Sequence, residues 1–315
     1  MNQSDVAISG LERAPSPARQ VPLVKRVARS VFKGKRYHLA KRVMREVTCS
    51  TGAIRCRPDF VIIGAQKSGS SSLFFYLQQH PDVMLPMNVT KEVHFFDRHY
   101  DRGMAWYRGH FPIEVSRGIA SRLRGRRVLT GEATPEYLVH PRVPERIAKE
   151  LPDTRFIAVL RNPIDRAWSH YQMQVKRTAE TRDFDDAIRL ELEEGQLDLG
   201  AMSDAELAQW SGGLSKAYLT RGIYFDQIER WRSTIGEQRL MIVVAEDLFH
   251  HTARVHREIC EFLGLSIDVP EDLNNLNRGG YRDEMSLPTR QRLAEFFQPH
   301  NEKLSSLLSR QLDWN

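Results

Sequence analysis

A run of small residues at 64–72 is the segment of the chain best suited to bind an anion. The apolar residues 59–63 before it predict a buried strand, and residues 70–79 predict a helix. A strand, a loop of small side chains and a helix start gather backbone N–H groups, and the helix dipole adds positive charge. Lys67 can reach the same anion. We therefore predict a phosphate or sulfate site, although a Walker A motif would need its lysine directly after the second glycine, whereas Lys67 precedes Gly69.

A second anion-binding candidate begins at Arg161, directly after a strand predicted over 154–160. Open parallel sheets bind their ligands at the carboxyl ends of the strands. Ser169 follows Arg161 by about two turns of the helix predicted over 163–176. Both side chains could hold one phosphate; an ordinary salt bridge and an ordinary helical serine are the alternative interpretation.

The segment 91–97 places three titratable groups, Glu92, His94 and Asp97, beside Phe95 and Phe96. Aromatic shielding would raise the pKa of a carboxylate and make it a better general base. His94 and Asp97 could also bind a metal, but two ligands do not make a metal site. The alternative is an ordinary polar and aromatic segment.

The elements around these residues alternate between strands and helices. Further strands are predicted at 127–130 and 239–244, and further helices at 143–151, 252–263 and 288–308, with helices outside the sheet in the acidic region 183–210. This alternation predicts an α/β fold: a single P-loop-like domain with a central parallel sheet and helices on both faces.

The amino-terminal part of the chain has a different composition from the rest. Residues 1–20 have the composition of a disordered segment, and 22–47 carry nine lysines and arginines against one acid, Glu46, within a net charge of +6 for the whole chain. This basic leader could form a helix and contact a membrane surface or a polyanion. We predict a leader at 1–56 and a catalytic domain at 57–315.

The whole sequence contains neither a secretory signal nor an apolar run of the ~18 residues typical of a membrane span. Its three cysteines form no CxxC pair, so neither a disulfide framework nor a zinc site is predicted. The expected location is the cytoplasm, with no integral membrane segment.

A second basic run contains five arginines, at positions 117, 122, 124, 126 and 127. It could form a rim that attracts an anionic acceptor. The alternative is a solvated loop before a strand.

Six segments, in this order along 58–315, resemble the sulfotransferases that use 3′-phosphoadenosine-5′-phosphosulfate (PAPS). The branch they resemble contains the heparan-sulfate N- and 3-O-sulfotransferases and their bacterial relatives. The segments are PDFVIIGAQKSGSSSL at 58–73, KEVHFFD at 91–97, GEATPEYL at 131–138, LRNPIDRAWSHY at 160–171, RGIYFDQIERW at 221–231 and LNRGGYRDEMSLPTRQRLAEFFQPHNEKL at 276–304.

This resemblance implies that PAPS is the donor and PAP the product, with no metal required. It implies that the 5′-phosphosulfate is bound by Lys67, Ser68, Gly69, Ser70 and Ser71, and the 3′-phosphate by Arg161 and Ser169. The loop expected to close over the nucleotide is Arg278, Gly279, Gly280 and Tyr281.

The resemblance also implies a catalytic set of Glu92, Lys67 and His94. Glu92 is expected to be the general base, with His94 as the next candidate, and His94 and Asp97 are expected near the acceptor. The acceptor would be a glycan, a glycolipid or a glycosylated small molecule. Two departures, Ala133 where some members have lysine and Met173 where N-sulfotransferases have histidine, leave open whether a hydroxyl or an amine is sulfated.

Other functions compete with this interpretation. A P-loop phosphotransferase would use ATP and Mg²⁺, and a non-catalytic protein could hold a nucleotide or polyanion without a base. A nucleic-acid binder would rest on the leader alone, and no nucleic-acid partner is predicted.

Overall fold

The computed structural model describes residues 48–85, 92–195, 197–210, 217–267 and 284–314. Its centre is a parallel sheet of β1 (Phe60–Gly64), β2 (Gly131–Ala133), β3 (Arg155–Leu160) and β4 (Leu240–Val244), in the order β2-β1-β3-β4. Phe60 pairs with both Gly131 and Arg155, and β3 pairs with β4 over its last five residues. This arrangement confirms the predicted α/β fold.

Helices connect and flank these strands. In chain order they are α1 (Ser70–Gln79), α2 (Phe95–Arg98), α3 (Gly103–Arg108), α4 (Glu114–Arg124), α5 (Val143–Glu150), α6 (Pro163–Lys176), α7 (Phe184–Glu194), α8 (Asp204–Trp210), α9 (Tyr224–Ile235), α10 (Ala245–His250), α11 (Thr252–Leu263) and α12 (Leu287–Leu308). Short 3₁₀ turns lie at Gly52–Ile54, Tyr100–Arg102, Pro135–Tyr137, Thr220–Gly222 and Glu237–Arg239. None of the helices in the described ranges combines the length and apolarity of a membrane span.

The strands are nearly continuous apolar runs because both faces of the sheet are covered, as is usual for parallel sheets. Alternate residues of β1 point to opposite faces. Phe60 and Ile62 join one buried apolar cluster with α1 and α11, whereas Val61 and Ile63 join another with α5 and α9. The prediction of helices on both faces is therefore confirmed.

The chain order of the strands creates a crevice. From β1 the chain crosses to β2 on one side, and from β3 it crosses to β4 on the other side. The carboxyl ends of β1 and β3 thus form a topological switch point, where open α/β sheets bind their ligands.

The prediction of a strand at 127–130 was wrong, since β2 begins at Gly131. Leu129 instead forms an isolated parallel bridge with Val83. A Cβ at position 131 would lie 2.5 Å from atoms of Phe60, so only glycine fits this close pairing with β1. This packing constraint is invisible in an apolar pattern.

The arginine-rich run begins in helix α4, not in the solvated loop of the alternative interpretation. A short helix, α10, that was not predicted also follows β4 directly. The leader helix expected within 22–47 lies outside the described residues.

Candidate active site

The anion-binding loop connects β1 to α1 and has an unusual backbone. Lys67 (φ +70°) and Gly69 (φ +101°) both adopt positive φ angles, which are uncommon for a lysine. Positive φ angles of this kind occur in loops whose successive N–H groups bind anions. Gly69 is the N-cap of α1, and no side chain of the described residues caps this helix. A Cβ at Gly69 would lie 2.9 Å from the ring of Phe249, so the loop passes close to α10. The loop is therefore shaped as a backbone cradle for an anion at a helix N-terminus.

Tyr224, on α9, connects the two predicted halves of the donor site. Its hydroxyl donates a hydrogen bond to the carbonyl oxygen of Arg161 at 3.0 Å. Ser68, in the loop, is fully buried, and its hydroxyl lies beside the Tyr224 hydroxyl. Within the described residues, the Ser68 hydroxyl has no hydrogen-bond partner at good distance and angle. A buried hydroxyl in this state suits a ligand that supplies acceptor oxygens.

Arg161 leaves β3 at the switch point described above. The next residue, Asn162, caps α6: its side chain accepts a hydrogen bond from the N–H of Ile164 at 2.9 Å, and its own N–H donates to Glu246 at 2.9 Å. Ser169 is buried in the same helix. The cap thus fixes the direction in which α6 leaves the sheet, and with it the positions of Arg161 and Ser169.

Positive charge accumulates around His170, which is also on α6. Burial, followed by the charges of Arg166, Arg221 and Lys67, lowers the pKa of His170 well below its usual value. Arg166 is fully buried, and its Nε and Nη1 atoms have no hydrogen-bond partner in the described part of the chain. Arg221 is paired with buried Glu136 at 2.6 Å, so Lys67 and Arg166 are the cations of this group that fit a donor carrying phosphate and sulfate groups.

Glu92, His94 and Asp97 form one cluster. His94 Nδ1 lies 2.7 Å from an Asp97 carboxylate oxygen, and His94 Nε2 lies 3.4 Å from Glu92. Burial lowers the pKa of His94, but hydrogen bonds to Asp97 and Glu92 outweigh it and raise the pKa to about 9. A protonated imidazole at neutral pH favours Glu92 over His94 as the general base, and both roles stay predictions. The Asp97 side chain is fully buried, whereas that of Glu92 is 46% exposed.

A buried glutamate on β2 is connected to this segment through hydrogen bonds. Glu132 accepts hydrogen bonds from the hydroxyls of Thr134 (2.6 Å), Tyr107 (2.8 Å) and Tyr137 (3.2 Å). Burial raises the pKa of Glu132 to about 7, against the opposing effect of these hydrogen bonds. Its neutral and charged forms are therefore both accessible near neutral pH.

The same hydroxyls hold the segment that follows Glu92 by its backbone. Thr134 Oγ accepts from the N–H of Val93 at 3.1 Å, and the Tyr137 hydroxyl accepts from the N–H of Phe95 at 3.0 Å. Because Thr134 directly follows β2, this network places Glu92 and His94 at the carboxyl edge of the sheet. That is the edge from which the anion-binding loop and Arg161 also leave.

Sequence reasoning assigned no role to Glu132, Tyr224 or Arg166. An acid within a strand that ends at the ligand edge is a usable signal for Glu132. Tyr224 and Arg166 carry no such signal, because their importance arises from contacts between distant parts of the chain.

The closing loop expected at Arg278, Gly279, Gly280 and Tyr281 lies outside the described residues, as does Lys91. Within the described ranges, no group of three or more His, Cys, Asp or Glu side chains is arranged to hold a metal ion. That the reaction needs no metal stays a prediction.

The known proteins to which this chain is similar, as described below, are sulfotransferases. Human heparan sulfate glucosamine 3-O-sulfotransferase 3B1 is 27% identical over 281 residues, covering 82% of this chain and 65% of the relative. The chain thus spans slightly less than two thirds of that relative's length. The membrane-associated sulfotransferase kil1 of Dictyostelium discoideum is 23% identical and covers 84% of this chain and 68% of its own.

The crystal structure of a sulfotransferase from Alicyclobacillus acidocaldarius is also similar, with a TM-score of 0.60 and 30% identity. The similarity covers 82% of this chain and 98% of that one.

The expectation of a cytoplasmic location is wrong by these comparisons. The relatives are heparan sulfate sulfotransferases and a sulfotransferase described as membrane-associated, and none of them supports a cytoplasmic assignment. The absence of a signal and of an apolar span in the sequence was too weak a basis for that expectation.

The family model described as "Sulfotransferase domain" matches residues 57–310, which is more than half of the chain and includes every described residue of the candidate site. The resemblance drawn from six short segments is thereby confirmed over their whole range. The chain therefore belongs to the sulfotransferase family.

Proposed function

We propose that this chain transfers a sulfuryl group from PAPS to a hydroxyl or amine of a glycan or a glycosylated small molecule, with Glu92 as the general base. One observation carries the proposal: the cluster of Glu92, His94 and Asp97 lies at the same sheet edge as the anion-binding loop and Arg161. An anion site alone would suit any nucleotide-binding protein. An exposed carboxylate beside it is what a group-transfer reaction requires.

The donor is held at two places. Lys67 and the loop N–H groups, with the hydroxyls of Ser68, Ser70 and Ser71, bind the 5′-phosphosulfate, while Arg161 and Ser169 bind the 3′-phosphate. When bound, the donor supplies an activated sulfuryl group on a phosphate leaving group. Preorganised N–H groups and cations that neutralise charge developing on such groups are typically the largest catalytic contribution.

Glu92 moves the proton. It is the one member of its cluster that is exposed enough to meet an acceptor from solvent, and it accepts the acceptor's proton as the oxygen or nitrogen attacks sulfur. His94, held as an imidazolium by buried Asp97, orients Glu92 through its other ring N–H, which faces the Glu92 carboxylate.

The acceptor class rests on the relatives. The human relative acts, by its name, on glucosamine in heparan sulfate, which supports a carbohydrate acceptor for this chain. The donor site of the proposal does not depend on that choice.

The first test is calorimetric titration of the purified chain with PAP in EDTA, with ATP as the competing nucleotide. We expect tight metal-free binding of PAP and much weaker binding of ATP. Lys67→Ala and Arg161→Ala should each weaken PAP binding at least tenfold, since each removes a charge-assisted contact of about 1.5–3 kcal/mol. Lys149→Ala, which changes an exposed lysine on α5, is the matched control and should bind normally.

The second test measures the transfer of labelled sulfate from PAPS to a desulfated glucosamine glycan. Glu92→Gln should bind PAP normally yet lose turnover at least hundredfold, because a general base contributes about 10²–10⁴ in rate. The exposed Glu145→Gln is the control for charge. Normal turnover by Glu92→Gln would show that the base is wrongly assigned.

Failure to bind PAP, or preference for ATP with Mg²⁺, would overturn the proposed donor and favour a phosphotransferase. PAP binding without turnover on any acceptor, in the wild type and in Glu92→Gln alike, would favour a non-catalytic nucleotide-binding protein.

A further inference from the structure

Helix α4 (Glu114–Arg124) presents its apolar residues to solvent. Val115, Ile119 and Leu123, at i, i+4 and i+8, are 69%, 53% and 83% exposed, and no residue of the helix is buried. Residues at this spacing lie on one face of a helix. A surface helix normally turns such a face toward the protein core. In α4 the apolar face points to solvent instead.

Polar contacts hold the opposite face of α4 on the protein. Arg117 donates a hydrogen bond to Asp59, outside the helix, at 2.8 Å. Ser121 Oγ donates to the carbonyl oxygen of Arg117 and accepts from the N–H of Val128 at 3.0 Å. The outward apolar face is therefore fixed by specific hydrogen bonds and is not the result of a loosely attached helix.

Positive charge surrounds the apolar face. The segment 114–127 contains five arginines against one acid, Glu114. The side chains of Arg124, Arg126 and Arg127 are 44%, 55% and 75% exposed, although each forms an ion pair with an aspartate, and Arg122 is also exposed. An aliphatic face bordered by arginines is the pattern by which amphipathic helices bind anionic lipid surfaces.

This surface lies at the edge of the sheet opposite to the candidate active site. Asp59, which anchors Arg117 and Arg127, directly precedes β1 and accepts the N–H of Thr130, directly before β2. Lys67 and Arg161 leave the carboxyl ends of the strands. The arginine run is therefore not the rim that an acceptor would meet on its way to the site.

We propose that α4 and the following arginines dock the chain peripherally on an anionic lipid bilayer. The exposed leucine, isoleucine and valine enter the headgroup boundary while the arginines meet lipid phosphates and carboxylates. Docking through the amino-terminal edge of the sheet leaves the opposite edge facing the aqueous phase, where a glycan would be met. The inference stands on the surface alone and does not depend on which donor or acceptor the site takes.

Charge and apolarity together favour a bilayer over other occupants. A hydrated polyanion would pair with the arginines but would gain nothing from Leu123. The leader at 22–47 is itself strongly basic, so the arginines would repel it. A second copy of the chain, related by a two-fold axis, would bring the arginines of the two copies together, so like charges oppose a dimer as well.

The test is flotation of the full chain with phosphatidylcholine vesicles, with and without phosphatidylserine, at low salt. The wild type should float only with phosphatidylserine. Leu123→Asp should weaken this binding about tenfold or more, since a leucine leaves the apolar boundary. Arg122→Gln should weaken it about fivefold, as expected for one basic residue near an anionic surface.

Leu287→Asp is the matched control, because Leu287 is 74% exposed at the start of α12 and should float like the wild type. Circular dichroism and PAP titration on all variants separate loss of docking from loss of folding or of the donor site. Wild-type flotation by Leu123→Asp would overturn the proposal and leave the leader as the lipid contact.

Two further outcomes would also overturn the proposal. One is a wild type that binds heparin but no vesicle, with Leu123→Asp weakening heparin binding. The other is that the wild type does not bind vesicles and is a dimer by light scattering, and that Leu123→Asp is a monomer.

Discussion

At the scale of single residues, Glu132 holds the candidate catalytic segment in place through two hydroxyls and does not itself reach solvent. Its carboxyl group accepts from Thr134 and Tyr137, and those hydroxyls accept the N–H groups of Val93 and Phe95. A carboxyl with no basic partner is costly to bury in its charged form. The folded protein is therefore more stable when the Glu132 carboxyl group is protonated than when it is charged.

We expect Glu132 to make the protein less stable as the pH rises. The pKa of this group is about 7 in the folded chain against an ordinary value of 4.5, so between these values the folded state binds a proton that the unfolded state has lost. Its contribution is complete below about pH 4.5 and is lost as the pH rises through about 7, an effect of about 3 kcal/mol. Glu132→Gln should remove this slope, as measured by urea unfolding at about pH 5 and about pH 8.

Comparison of the two proteins separates the contribution of Glu132 from those of titrating groups that both proteins share. The difference in unfolding free energy between wild type and Glu132→Gln should change between the two pH values. A difference independent of pH would mean that Glu132 is ionised to the same extent in the folded and unfolded chains.

Residues next to a recognisable local pattern could be predicted from the sequence, and residues that act through tertiary contacts could not. Lys67 and Arg161 each border a strand end, and Glu92, His94 and Asp97 are close in sequence. Their proximity in the structure follows from those positions, but their chemical roles stay predictions. Glu132 acts on residues about forty positions away through two hydroxyls, and no local pattern records such a path.

At the scale of elements, the site is built where strands end and helices begin. The sequence predicted α1, α6 and α11 with their observed ends, because each is bounded by a strong stop or start signal such as His80-Pro81 or Pro163. It misplaced β2 because Gly131, not the apolar residues before it, fits against Phe60. It did not predict α4, because the arginine-rich run was interpreted as an acceptor rim or as a solvated loop before a strand.

The turn from β1 into α1 gives a prediction at this scale. Gly69→Ala would force alanine into a positive φ and bring its Cβ to 2.9 Å from the Phe249 ring. We expect a stability loss of about 2–3 kcal/mol, of which about 1–2 comes from the backbone, and PAP binding at least tenfold weaker. Urea unfolding and PAP calorimetry measure the two effects.

Gly125→Ala is the matched control, because Gly125 also has a positive φ (+64°) but a Cβ added there would meet nothing within 4 Å. It should lose only the backbone part, about 1–2 kcal/mol, and bind PAP normally. Adding Phe249→Ala to Gly69→Ala should relieve the crowding. Equal losses in the two glycine variants, with unchanged PAP affinity, would contradict a tight loop.

At the scale of the whole chain, the compact unit that contains the site begins at Thr48, and residues 1–47 are outside it. Residues 48–56 were predicted to belong to the leader. Cys49 and Cys56 are nevertheless buried in the apolar cluster that also contains Phe95 and Phe96 of α2. The boundary of the leader is therefore open to a direct test.

Shortening the chain at two points should give different results. Removal of residues 1–47 should leave unfolding free energy and PAP affinity unchanged, because the site lies wholly in the unit that begins at Thr48. Removal of 1–56 should cost on the order of 3–5 kcal/mol, from two buried thiols and several hydrogen bonds. These bonds include Arg108 Nε to the carbonyl oxygen of Arg55 (2.7 Å) and the N–H of Cys56 to the carbonyl oxygen of Pro112 (2.9 Å).

Urea unfolding and PAP calorimetry on both shortened chains provide the measurement. The larger deletion should also reduce turnover more than PAP affinity, since the lost packing supports Phe95 and Phe96 beside Glu92 and not the loop at Lys67. If both chains proved equally stable, residues 48–56 would belong to the leader, as the sequence predicted. If removal of 1–47 alone abolished PAP binding, the leader would have to be part of the donor site, and the proposed placement of that site at the sheet edge would be incomplete.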